Sequence, residues 1–132
     1  MPSEFLWPTP EEAIAINRAV VADTGEPFGL LDENRLASAL ASARNHWAYE
    51  QEDDAITLAV ILLLAVARNH PFRQGNKRTA LAIAYNFLNN AGHDLVGPNS
   101  TDLADAIVGA LTGELGQGEL EDRVRSQAVP FA

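Results

Sequence analysis

An all-α bundle wrapped around one buried helix is the fold that three features of the sequence predict. The run Ala55 to Ala67 is apolar nearly all round, the pattern of a helix covered on most sides. Elsewhere apolar residues recur at helical spacing, between the Thr, Asp, Pro and Gly signals that start and stop helices. Strand patterning is weak throughout. A chain of 132 residues, 47% apolar and 20% charged, has the length and balance of one globular domain, residues 1–132 with a core from about 9 to 128.

Thr9-Pro10-Glu11-Glu12 opens the first helix, with Thr9 as cap, Pro at the first helical position and acids in the first turn. It should run to about Asp23, with Gly25 closing it and Ala13, Ile14, Asn17, Val20 and Val21 along its buried face. Asp32 caps a second helix to about Tyr49, with the stripe Leu36, Leu40, Ala43 and Trp47. Asp53 or Asp54 caps the central helix, and Pro71 disfavours helical geometry at His70, so that helix ends about there. Gly75 permits a turn, and Asn76 is the predicted cap of the next helix. That helix buries Ala80, Ile83, Ala84, Phe87 and Ala91 and stops near Gly92, with His93 in the following turn. A further helix is expected from Thr101 to Thr112, with Ser100 as its cap and Gly113 as its end, and a last one at about Glu119 to Ala128.

The charge narrows the function classes. A formal net charge of -9 argues against nonspecific binding to nucleic acid, whose backbone would repel such a surface. No apolar run reaches the roughly 20 residues that span a bilayer. The absence of Cys rules out a disulfide, a thiolate nucleophile and a cysteine zinc site. With no signal-peptide pattern at Met1-Pro2-Ser3-Glu4, the expected location is cytoplasmic.

Against this acidic background, four of the nine basic residues, Arg68, Arg73, Lys77 and Arg78, fall between positions 68 and 78. Lys77 and Arg78 stand in the first turn of a helix, where cations oppose the macrodipole. An anion docked on the unpaired N–H groups of that turn converts them into ligands. His70, across the loop, is a side chain that can take a proton near neutral pH. A base beside a phosphate cradle points to phosphoryl or nucleotidyl transfer.

The stretch His70-Pro71-Phe72-Arg73-Gln74-Gly75-Asn76-Lys77-Arg78-Thr79-Ala80 resembles the active-site motif of the Fic/Doc superfamily, and its Asn-Lys-Arg-Thr-Ala ending is similar to the death-on-curing (Doc) branch of toxins. The likeness extends to Gly29-Leu30-Leu31-Asp32, to Trp47-Ala48-Tyr49-Glu50 and to the segment from Asp102 to Glu114. The resemblance implies a compact helical fold, with ATP as substrate and His70 as the general base toward a Ser or Thr hydroxyl of a target protein. It implies that Arg73, Gly75, Asn76, Lys77 and Arg78 bind the nucleotide phosphates, the Asn76 side chain included. Pro71 sets the turn and Phe72 anchors the loop in the core. Trp47, Tyr49 and Glu50 fall in the region that forms a target-holding flap.

Two transfers are compatible with that family. Fic proteins typically move AMP, whereas Doc-type members move the γ-phosphate and arrest growth, the family example acting on translation elongation factor Tu. Lys77, where AMP-transferring members usually have Gly, favours the kinase. The implied partner is a Phd-type antitoxin whose tail folds as a helix in a groove of the bundle. No Ser/Thr is followed at the spacing of the Fic autoinhibitory motif by Glu and then Gly or Asn.

Position 74 departs from the family, which usually has Asp or Glu there to hold Mg²⁺; here it is Gln74. A neutral amide is a weak ligand for that hard cation. Three readings follow: the metal is held through water and phosphates, another carboxylate such as Glu50 or Asp53 substitutes, or catalysis is lost and the fold serves as a binding module.

Overall fold

A computed structural model describes residues 5–95 and 101–130. It contains six helices, α1 (Pro10–Thr24), α2 (Glu33–Glu50), α3 (Ala55–Asn69), α4 (Asn76–Asn90), α5 (Thr101–Thr112) and α6 (Gln117–Gln127), and two short strands, β1 (His93–Leu95) and β2 (Ala128–Pro130). The expectation of an all-α bundle around residues 55–67 holds. Within α3, Leu58, Val60, Leu62, Leu63, Leu64 and Val66 are all essentially buried, and α2 and α4 pack along it as its principal neighbours.

Most helix boundaries follow from local chemistry. Thr9 and Glu12 form a reciprocal capping box on α1, and Gly25 closes it in the left-handed conformation. The Asp32 carboxylate accepts from the N–H groups of Asn34 and Arg35 at the start of α2. Asp54 does the same for Ile56 and Thr57 at α3, and its second oxygen receives Arg125 of α6 at 2.8 Å. Burial raises the Asp54 pKa, but the Arg125 guanidinium and the two backbone N–H groups outweigh it and hold the carboxyl below its usual range. A depressed folded-state pKa contributes stability above the unfolded value, and that contribution is lost as pH falls through the folded one. Asp54→Ala should therefore destabilise the chain by about 1–2 kcal/mol at neutral pH. Urea denaturation of both forms will show the difference shrinking as the medium is acidified.

Two expectations are corrected. The cap of α4 is Gly75, with φ of 72°, and Asn76 is the first helical residue, because its side chain is engaged elsewhere. His93 belongs to a strand: β1 and β2 pair antiparallel, with Leu95 opposite Ala128, so the last helix stops at Gln127. Three-residue strands are too short to show alternation in the sequence. Ser100 lies outside the described residues. Phe5 and Trp7, given no role above, pack on the core, where Trp7 lies 5.8 Å from Trp47 and 5.3 Å from Phe87, ring centre to centre.

Candidate active site

The turn between α3 and α4 is shaped by two residues with positive φ. His70 ends α3 at φ 47°, a conformation that costs a non-glycine residue free energy and recurs at functional sites. Gly75 is the other. Its positive φ favours glycine, and a Cβ there would crowd Val20 at 3.1 Å and Val21 at 3.3 Å. Between them the chain is clamped. The Asn76 amide donates to the Phe72 carbonyl at 2.8 Å and accepts from the Phe72 N–H at 3.0 Å, closing the loop on itself. Removing it leaves two backbone groups without partners. Asn76→Ala should cost about 1–3 kcal/mol, read by chemical denaturation.

Phe72 is buried, its ring 6.4 Å from that of Phe28, and Pro71 is buried beside it. A short extended segment lies alongside: Leu31 donates to the Pro71 carbonyl and Arg73 to the Gly29 carbonyl, both at 2.8 Å. The backbones come close here, since a Cβ on Gly29 would be 3.0 Å from the Arg73 Cβ.

The result is an open cleft of about 350 Å³ lined by His70, Arg73, Gln74, Gly75, Asn76, Lys77 and Arg78. Seven residues close in sequence share one concave surface because loop and helix start fold over it. The N-terminus of α4 has no side-chain cap, which leaves its first N–H groups available to an anion. Among the described residues Arg73 and Lys77 have no ion-pair partner, and both are exposed. Arg78 is committed. It binds the Val20 carbonyl and the Thr24 hydroxyl, each at 3.3 Å, and forms an ion pair with Glu26. The Thr24 hydroxyl, and then Arg78, hold the Glu26 carboxyl below its usual range. Among the described residues two cations are thus free in the cleft, and the third fastens α4 to the end of α1.

Several predicted participants stand elsewhere. Arg68 points from the last turn of α3 to the Ala110 carbonyl and lines a different cleft, with Ser38, Ser42 and His46. Only residues 51–54 separate the end of α2 from the start of α3. Trp47, Tyr49 and Glu50 therefore lie at the start of α3, while His70 is at its end, and a helix of 15 residues is about 22 Å long. They form no flap over this cleft. Trp47 packs against Trp7, Tyr49 is exposed, and Glu50 pairs with His46. The segment that does flank the loop is Gly29–Leu31.

The same geometry removes Glu50 and Asp53 as substitutes for a metal-binding acid. Among the described residues no carboxylate lines the cleft, and no cluster of His, Asp and Glu suited to a metal occurs. Side-chain carbonyls of Gln74 and Asn76 are the neutral oxygens present, and that of Asn76 is already used. This donor set does not fit Mg²⁺ held by the protein, which normally needs one or two carboxylates.

Sequence reasoning missed Asn17 as a participant. It lies in α1, fully buried, and its amide donates to the Gln74 carbonyl at 2.9 Å and to the Thr79 hydroxyl at 3.0 Å. A polar residue on the apolar face of α1 was the available signal.

With this geometry in place, comparison with known proteins is informative. The profile of the Fic/DOC family matches residues 7–88. The chain is 36% identical over 117 residues to "Protein kinase doc" of Escherichia phage P1, an alignment covering 89% of this chain and 91% of that protein. Among the described residues no helix is long and apolar enough to cross a membrane.

Proposed function

Since the chain belongs to the Fic/Doc family, we propose that it is a Doc-type protein kinase. The observation that carries this is the cleft itself, where His70 faces the uncapped, cationic start of α4. ATP is the substrate. Its γ-phosphate lies against the first N–H groups of α4, with Arg73 and Lys77 balancing its charge. His70 takes the proton of a Ser or Thr hydroxyl on the target protein. The hydroxyl oxygen bonds to the γ-phosphorus as the bond to the β–γ bridging oxygen breaks, and ADP leaves with that electron pair. Such a reaction asks the protein mainly to position groups and to stabilise charge.

The target is translation elongation factor Tu, and the biological setting is a toxin-antitoxin pair in which a Phd-type antitoxin restrains the kinase. The relative named above supports the kinase, and the growth-arresting role extends the same analogy. Transfer of AMP to a protein hydroxyl is the alternative chemistry for this cleft. Label distinguishes them: radioactivity from γ-labelled ATP should enter the target, and radioactivity from α-labelled ATP should not. The reverse pattern would assign the chain to AMP transfer.

A second reading, a nucleotide-binding module with little catalysis, is favoured by one observation. Gln74 stands at the family's acidic position and no carboxylate among the described residues replaces it in the cleft. Label in neither experiment, with ATP still bound, would select that reading.

A further inference from the structure

The Asn17 amide has no solvent contact, sits on a different helix from every other group at the cleft, and reaches the loop at Gln74 and α4 at Thr79. Its orientation is fixed by chemistry. The Gln74 carbonyl can only accept, so the Asn17 atom facing it is the NH₂ group, and that group also donates to Thr79. Among the described residues the remaining oxygen, Oδ1, is buried with no partner. An unsatisfied buried acceptor is unfavourable, and an apolar side chain at this position would avoid it. Its two donated bonds satisfy the Gln74 carbonyl and the buried Thr79 hydroxyl, so asparagine also stabilises the packing of α1 on the loop and α4.

The bond to the Gln74 carbonyl has a second consequence. Across a trans peptide the C=O and the following N–H point in opposite directions. Asn17 draws the Gln74 oxygen toward α1, so the Gly75 N–H points off the α1 face, and Gly75 lines the cleft. Among the described residues that N–H has no acceptor within the chain. We infer that Asn17 is a positioning residue for the phosphate site: by holding the Gln74 carbonyl it turns the Gly75 N–H into the cleft as a donor to a nucleotide phosphate. It touches no substrate. The inference rests on the reading that this cleft takes the phosphates of ATP.

The test is an NMR titration of the full chain with Mg-ATP, following the Gly75 amide, alongside thermal melting. Asn17→Ala removes the donor, and Asn17→Leu removes it while keeping most of the volume, which guards against simple collapse. Thr79→Val deletes only the other hydrogen bond and leaves the Gln74 contact in place. In the unaltered chain the Gly75 amide should move on titration. Folded Asn17→Leu should lose that movement and bind Mg-ATP at least about tenfold more weakly, while Thr79→Val, though its melting temperature falls, should bind within about twofold of the unaltered chain. A merely structural role would make binding track melting temperature in all three variants, and that result overturns the inference. So does a folded Asn17→Leu that binds normally with the Gly75 shift intact. If the unaltered chain itself binds no Mg-ATP, both this inference and the functional reading beneath it fall, and that outcome is recognisable because Gly75 moves in no form.

Discussion

His70→Ala is expected to lower phosphoryl transfer by roughly 10²–10⁴-fold, the range for loss of a positioned general base. Folding should be barely affected. His70 is exposed and follows the last residue of α3, and among the described residues its side chain makes no hydrogen bond or ion pair. Single-turnover transfer and a thermal melt, run on the same preparation, check both halves of the statement. Binding of ATP should survive, because the phosphate cradle is made by Arg73, Gly75 and the start of α4 and not by the histidine. In cells, growth arrest on expression should disappear with His70→Ala. Arrest that persists undiminished would mean that harm comes from occupancy of a partner, as a binding module would cause.

Gln74→Asp should act in the opposite direction. Cleft chemistry explains why: two free cations, an uncapped helix start and, among the described residues, no lining carboxylate give good anion binding and poor cation binding. An acid at position 74 supplies the missing charge without disturbing the loop, since it is the backbone carbonyl of Gln74, not its side chain, that Asn17 holds. Transfer should rise by at least about tenfold, the scale on which groups around a metal site change activity. Saturation should also shift to lower Mg²⁺ concentration. An unchanged rate would mean that Arg73 and Lys77 already balance the phosphate charge unaided.

How much of this was legible in the sequence depended on whether the signal was local. Capping at Thr9, at Asp32 and at one of Asp53 and Asp54, the apolar run of α3 and the Pro71 stop all act within one or two turns of chain, and the structure places each element where those signals put it. The cleft residues from 70 to 78 were found because they are neighbours in sequence. What failed was geometry over distance. Arg68 lies in the same basic run, but a helix sends it to another face. Trp47, Tyr49 and Glu50 directly precede α3 in sequence, yet α3 carries the chain the length of the bundle before it reaches His70. Asn76 has the right chemistry for a cap, but competition from the Phe72 backbone decides its place. The ties from α1 and the loop after it, Asn17 to Gln74 and Glu26 to Arg78, span more than fifty residues, and no local pattern encodes them.

The chemistry proposed for this cleft is transfer of the terminal phosphate of ATP to a protein hydroxyl. The most direct test is the intact mass of purified elongation factor Tu after incubation with Mg-ATP and the unaltered chain, with His70→Ala in parallel. A gain of one phosphoryl group, absent with His70→Ala, is the predicted result. A gain of one AMP would contradict it, as would an unchanged mass with both the unaltered chain and Gln74→Asp.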